Sequence, residues 1–310
     1  MTQPQQLAVG TPGAAQYDGL GGFTGSHRAG LEHTFSFFFG LSGEGKTNLM
    51  EQVPDSFRFN LDCSSTIAKA PTSMNWPVLD STGNLLLAPS QIGSLSWEAA
   101  EAKVTILKRL AAENKHRPTT IIFDSLTSWV RLLQDYVARN AVKLSLRSND
   151  RGPAENFRQL DGKAAWDVVY ETVVQTCSML RSSGYGVFLV GHVVKELIPI
   201  GEDRMSQELA FTTGPGLWKR MHPLLENSIY IGSVLEPVEE TYEQESIVRG
   251  ERKIDIKKRS VNKKRVYAEG ERVGLEGMTK IRVRIPKVLL PETGAWEALS
   301  KAYREASEAK

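Results

Sequence analysis

The stretch FSFFFGLSGEGKT, residues 35–47, constrains the fold of this chain more than any other. An apolar run leads into GLSGEGKT, which matches the phosphate-loop pattern G-x-x-x-x-G-K-[ST]. Glycines at these positions let the backbone curl until successive N–H groups point into one concavity that can hold phosphate oxygens. The stretch therefore predicts a buried strand, a loop that binds a nucleoside triphosphate, and a helix that begins near Lys46.

The loop also supplies side chains for phosphate and metal. Lys46 would reach the β- and γ-phosphates, and the Thr47 hydroxyl would hold Mg²⁺. The alternative is a glycine-rich turn with an incidental lysine, and the strand and helix on either side argue against it. The predicted nucleotide-binding residues are Gly40, Ser42, Gly43, Glu44, Gly45, Lys46, Thr47 and Asn48.

A second acidic motif, TTIIFDS at residues 119–125, supplies a carboxylate. A phosphate loop needs such a group to hold the metal at the end of a neighbouring buried strand. Taken alone, Asp124 could equally cap the helix that follows. Beside the phosphate loop, it is predicted to ligate Mg²⁺ together with Thr47.

A further polar residue is a catalytic candidate with Lys46 and Asp124. His192 ends the predicted strand GVFLVGH and could contact the γ-phosphate and report hydrolysis to the next loop, or simply meet a backbone carbonyl.

Short apolar runs alternate with helical patterns between His33 and Glu251. Near-continuous apolar strands flanked by helices predict an α/β fold with a mostly parallel sheet. Residues 1–30, rich in Gln, Gly, Pro and Ala, predict a flexible arm. Residues 31–245 predict the core, and residues 246–310 an extension packed on it. The predicted strands are 34–40, 56–63, 119–125, 186–192 and 227–233.

Bulk composition excludes little. The 310 residues carry a net charge of +2, so any basic surface must be local. The two cysteines, Cys63 and Cys177, lack metal-ligand spacing and favour a reducing compartment. No apolar run is long enough to cross a bilayer, and the first residues do not resemble a signal peptide. The expected location is the cytoplasm.

A basic segment, RGERKIDIKKRSVNKKRVYAEGER, occupies residues 249–272. Two cation clusters flank the turn-like SVN, which predicts a β-hairpin with basic sides. The hairpin could bind DNA phosphates or project a cation into a neighbour's ATP site, or the segment could be a solvated charge run. Beyond it, KIRVRIPKVLL predicts one strand and the last residues an amphipathic helix. The candidate cations are Lys257, Lys258, Arg259, Lys263, Lys264 and Arg265.

Four features, carried by five stretches, together resemble the RecA-like P-loop ATPase core, most closely that of small phage-encoded ATPases, some of which act in recombination or single-strand annealing. The resemblance covers roughly residues 34–233, with a weaker echo in KIRVRIPKVLLPE. The stretches are GLSGEGKT, IIFDSLTSW, the pair QLDGKAAWDVV and YGVFLVGHVVKE, and GPGLWKRMHPLLENSIYIG.

The resemblance implies ATP and Mg²⁺ as ligands, single-stranded DNA as partner, and self-association into a ring or filament with ATP between subunits. It would place the protein in a bacterial host cytoplasm if a phage encodes it. In RecA-like enzymes a glutamate after the second strand usually orients the attacking water, and here the equivalent position is Ser64. The resemblance therefore makes Asp62, within the predicted strand SFRFNLDC, a catalytic candidate for orienting the water. Either Asp62 substitutes, or another carboxylate folds in, or hydrolysis is slow.

Three functions remain open on the sequence. The first is an ATP-binding, slowly hydrolysing protein that acts on DNA in recombination or strand annealing. The second is a DNA-translocating motor, either a helicase or a packaging ATPase. The third is an ATP-dependent assembly switch that ignores DNA.

Overall fold

We describe a computed structural model of the chain. It describes residues 30–62, 73–76, 95–113, 115, 117–201, 204–248, 251–270, 280–281 and 285–308. The flexible arm predicted for residues 1–30 lies outside these residues except for its last position, and Cys63 and Ser64 lie outside them as well.

A sheet forms the centre of the described fold. Its order is β10-β8-β7-β1-β5-β4-β2-β3, while β6 pairs with β5 and β9 pairs with β7. Pairing is parallel from β7 across to β3. The strands are β1 Phe35–Gly40, β2 Ser56–Asn60, β3 Ser73–Trp76, β4 Thr120–Asp124, β5 Gly186–Gly201, β6 Arg204–Phe211, β7 Asn227–Val248, β8 Glu251–Glu269, β9 Lys280–Ile281 and β10 Val288–Leu290.

Helices cover both faces of the sheet, so the predicted α/β class with a mostly parallel sheet is confirmed. Helices α2 to α5 contribute to the apolar core on one face, and α1 and α6 to the core on the other. All six residues of β1 are buried, which explains its unbroken apolar run. The helices are α1 Lys46–Glu51, α2 Trp97–Ala112, α3 Leu126–Arg139, α4 Gly162–Ser182, α5 Pro215–Met221 and α6 Ala295–Glu308.

The strand that ends in Asp124 is not the immediate neighbour of the phosphate-loop strand. Strand β5 lies between β1 and β4, with Gly40 opposite His192 and Asp124 opposite Val190. Two strand spacings amount to roughly 10 Å. Thr47, at the start of helix α1, nevertheless reaches Asp124, because a hydrogen bond joins their side chains. The strand that supplies the carboxylate is thus not adjacent to β1 but separated from it by one strand, and the phosphate loop spans the distance between β1 and β4.

Strand β5 does not end at His192 as predicted. His192 is the last residue with a parallel partner, and from Val193 onward the strand pairs antiparallel with β6. In place of the loop expected directly after His192, the described chain continues as paired strands β5 and β6. The sequence change at His192 marks a change of partner, from a buried parallel neighbour to an antiparallel one.

The basic segment is one arm of a hairpin, not a hairpin by itself. Strands β7 and β8 pair without a register shift from Tyr230 opposite Glu269 to Val248 opposite Glu251. The predicted turn SVN lies in the middle of β8, where Ser260 faces Glu239. The partner strand β7 is rich in glutamate. Opposite charges on facing strands stabilise the pairing of β7 with β8, whereas the predicted hairpin would have placed the two basic clusters opposite each other. We call this two-stranded element the charged ribbon.

The C-terminal region also differs from expectation. KIRVRIPKVLL does not form one strand, because β9 and β10 are separate and Ile285–Lys287 between them is not a strand. Pro286 has no N–H to donate to a ladder. The amphipathic helix predicted after it is confirmed as α6, whose Trp296 and Leu299 are buried. Strand β7 runs through position 245, where the core was predicted to end.

Candidate nucleotide-binding site

The phosphate loop follows β1 directly, and α1 begins at Lys46 as predicted. Gly45 has φ of +83°, a left-handed conformation that favours glycine. At Gly40, an added Cβ would lie 2.0 Å from the carbonyl oxygen of Ile231, so no other residue fits without a shift. The two motif glycines are thus required by geometry, one by the turn and the other by the close approach of β7.

Lys46 is buried at the centre of the loop. Its Nζ donates hydrogen bonds to the carbonyl oxygens of Gly40 at 3.0 Å and Leu41 at 2.7 Å. Burial lowers its pKa to about 8, although the carboxylates of Asp124, Glu44 and Asp62 act in the opposite direction. Among the residues that the structure describes, no carboxylate forms an ion pair with Lys46, and the phosphates of a nucleotide would provide a counter-ion.

Thr47 and Asp124 lie together although they are far apart in the sequence, and a hydrogen bond joins their side chains. Asp124 is buried, and burial raises the pKa of its carboxyl, while Arg58 opposes that shift. Its Oδ2 accepts no hydrogen bond among the described residues, although Nη1 of Arg58 lies 3.5 Å away as an ion-pair partner. A hydroxyl and a carboxylate side by side suit Mg²⁺, which prefers oxygen ligands.

Arg58 is a component that the sequence analysis missed. Its Nη1 lies 3.2 Å from Oε1 of Glu51 and 3.5 Å from Oδ2 of Asp124, and all three side chains are buried. The signal for it was a single charged residue within the apolar strand SFRFN. Such a residue is almost never fully buried unless it is paired. Arg58 therefore fixes the orientation of the carboxylate that is predicted to hold the metal.

Asp62 and His192 meet at the same edge of the sheet. Oδ2 of Asp62 lies 3.4 Å from Nε2 of His192. Its Oδ1 accepts hydrogen bonds from Ser125 Oγ at 2.8 Å and from the Ser128 hydroxyl. Burial opposes ionisation, but the hydrogen bonds from His192, Ser128 and Ser125 outweigh it and lower the pKa of Asp62 to about 2. Asp62 is therefore an ionised orienting group and a weak proton acceptor at neutral pH.

Ser125 connects the two acidic residues. Its peptide bond to Asp124 is cis, and its Oγ also accepts a hydrogen bond from the backbone N–H of Ser128 at the start of α3. The helix cap considered for Asp124 is thus made by Ser125 instead.

A cavity of about 630 Å³ opens beside the loop. Ser42, Asp62 and His192 line it, together with Arg131 of α3 and Trp166 of α4. It is large enough to hold a substrate or a segment of a partner next to the phosphates. Asn48 lies outside this group, exposed on α1, where its carbonyl oxygen accepts a hydrogen bond from Gln52.

The predicted DNA-binding cations do not form one uniform surface. Lys264 turns toward the phosphate loop of its own chain, with Nζ 2.8 Å from the carbonyl oxygen of Gly43. Four others pair with glutamates of β7, and for Lys257 no ion pair is found among the described residues. These pairs are Lys258–Glu239, Arg259–Glu240, Lys263–Glu240 and Arg265–Glu236.

The fold and this arrangement of Lys46, Thr47 and Asp124 define the class of protein, a P-loop nucleoside triphosphatase. Residues 36–234 match the family model of an AAA domain, and the chain belongs to this family of P-loop ATPase domains. We found no curated protein that matches the chain. Membership supports ATP binding, and the family usually uses Mg²⁺. Within the described ranges, no helix combines the length and the apolarity that a bilayer span requires.

Proposed function

We propose that this protein binds ATP, hydrolyses it slowly, and acts on single-stranded DNA in recombination or strand annealing. One observation carries the proposal. Strand β8 bears a run of exposed cations and also contacts the phosphate loop through Lys264. One continuous strand thus links a surface suited to polyanions with the nucleotide site.

The glutamates of β7 do not prevent this role. The ion pairs of the charged ribbon are exposed, and each such pair contributes about 0–1 kcal/mol. A polyanion that releases condensed counter-ions competes well against pairs of this strength. The cations of the ribbon then leave their glutamates and pair with DNA phosphates, and binding weakens steeply as salt is added.

Slow hydrolysis follows from the carboxylates near the phosphate loop. Asp62 is held ionised by three hydrogen bonds, with its pKa lowered to about 2. A carboxylate with this pKa orients a neighbour well but removes a proton from water poorly. Lys46, Thr47 and Asp124 would hold the triphosphate and its metal, and the metal would neutralise charge on the phosphates. Subunits assembled into a ring or filament would hold ATP between them.

The test is binding of fluorescent single-stranded DNA, measured by anisotropy with and without ATP across a salt series. We expect affinity that falls linearly on a log–log plot against salt and that changes with ATP. The triple variant K257A/K258A/R259A should bind more weakly with a shallower slope. A matched control, K108A/R109A/K115A, removes the same number of cations from α2 and the residues after it and should behave as the wild type.

Absence of salt-dependent binding in every nucleotide state would overturn the DNA-binding role. Oligomers that depend on ATP but ignore DNA would instead support an assembly switch. Turnover that rises strongly with DNA would support a translocating motor. An ATPase assay and light scattering on the same samples separate these outcomes.

A further inference from the structure

The phosphate loop contains a carboxylate, Glu44, at a position where anionic phosphates would bind. Its side chain is 14% exposed, and Oε2 has no hydrogen-bond partner among the described residues. A negative charge in a loop that binds a triphosphate repels the ligand unless a cation neutralises it. Glu44 forms an ion pair with Lys264, whose Nζ lies 3.7 Å from Oε2.

Lys264 reaches the loop from a distant part of the sequence. It is a residue of β8, and its Nζ donates a hydrogen bond to the carbonyl oxygen of Gly43 at 2.8 Å. Val266 projects from the same face of β8, since it is two residues further along. A Cβ added to Gly45 would lie 3.4 Å from the Val266 side chain. Strand β8 therefore contacts the loop at Gly43 and Glu44, and its Val266 side chain lies close to the backbone of Gly45.

We propose that Lys264 is a positioning residue of the nucleotide site, which anchors the Gly43 carbonyl and neutralises Glu44 so that the loop accepts a triphosphate. The inference rests on the ATP binding in the proposed function and adds a residue to it. Lys264 acts within its own chain and through Glu44, so it is distinct from a cation supplied by a neighbouring subunit.

Charge makes the proposal specific. An unpaired Glu44 repels a nucleotide in proportion to the ligand's negative charge, so a triphosphate loses more affinity than a diphosphate. A residue that merely supports the loop would affect both ligands equally. The ratio of ATP affinity to ADP affinity therefore separates the two roles.

The experiment measures binding of the fluorescent N-methylanthraniloyl derivatives of ATP and ADP to the full chain. We expect K264A to weaken ATP binding about tenfold and ADP binding less, with K264R restoring most of the loss. Neutralising the carboxylate as well, in K264A/E44Q, should return ATP affinity to near the wild-type value. The control is K301A, because Lys301 is also in an ion pair, 3.8 Å from Glu305 on α6, and lies outside the loop.

Three results would overturn the proposal. They are wild-type ATP affinity in K264A, equal losses for ATP and ADP, and a double variant as weak as K264A. If K264A folds poorly, E44Q alone decides, since it should bind ATP at least as tightly as the wild type, and weaker binding contradicts the role given to Glu44. Failure of the wild type to bind ATP would instead overturn the proposed function itself.

Discussion

Nε2 of His192 lies 3.4 Å from Oδ2 of Asp62, and this contact joins β5 to the residues that follow β2. Strand β4 separates the two strands, so the contact crosses the edge of the sheet just where Asp124 ends β4. Nδ1 of His192 is buried without a hydrogen-bond partner among the described residues. An ionised Asp62 would hold the Nε2 proton and leave Nδ1 as an acceptor.

We predict that D62N lowers ATP turnover at least tenfold while nucleotide affinity stays within about twofold, because Asp62 orients a group that acts in hydrolysis. Steady-state kinetics and fluorescent-nucleotide binding measure the two effects separately. S128A removes one of the hydrogen bonds to Asp62 and should have a smaller effect. An unchanged kcat in D62N would exclude Asp62 from hydrolysis.

The pKa of Lys46, lowered by burial to about 8 from 10.5, predicts proton uptake on ATP binding near pH 8. Phosphates favour the ammonium form, so binding returns a proton to those molecules that have lost it. Calorimetry at pH 8 in buffers of different ionisation enthalpy should therefore reveal uptake. The uptake should be larger at pH 9 and much smaller at pH 7, where most molecules already carry the Lys46 proton. Equal heats in all buffers at pH 8 would contradict this.

The same shift affects the stability of the nucleotide-free protein. Between pH 8 and 10.5 the unfolded chain keeps the Lys46 proton and the folded chain has lost it. The free energy of unfolding should therefore increase as the pH rises through that window. Below pH 8 both states carry the Lys46 charge, so the folded protein bears the full cost of burying it.

The buried group of Arg58, Glu51 and Asp124 predicts a large stability effect. R58M leaves two buried carboxylates without their cation and should lower the free energy of unfolding by about 3 kcal/mol. Urea denaturation measures the change. R139M is the matched control, because Arg139 pairs with Glu98 on the surface at 3.1 Å, and its loss should cost less than about 1 kcal/mol. Equal effects of the two variants would show that Arg58 is not the counter-ion inferred here.

If the charged ribbon binds DNA as we propose, its glutamates should limit the affinity. Glu236 and Glu240 hold three of the cations of β8. E236Q/E240Q should therefore bind single-stranded DNA more tightly and add about 0.7 to the salt slope for each cation released to a phosphate. E305Q, on α6, removes a carboxylate far from the ribbon in sequence and serves as control. Unchanged affinity in E236Q/E240Q would argue against DNA binding by this surface.

The local sequence pattern was enough to predict the strands and helices around the phosphate loop. The apolar run before Gly40, the glycines of the loop and the start of α1 at Lys46 all follow from short-range requirements, namely burial, backbone conformation and chain reversal. Strand β4 with Asp124 at its end was predictable for the same reason.

Tertiary structure alone decided which distant residues meet. The insertion of β5 between β1 and β4, the pairing of the basic strand with a glutamate-rich partner, the ion pairs of Arg58 and the contact of Lys264 with Glu44 all join residues far apart in sequence. An extended strand carries two hydrogen-bonding edges, and its own sequence does not specify which strand will occupy each. The sequence by itself determined that there is a phosphate loop, and the packing of the sheet determined which charges surround it.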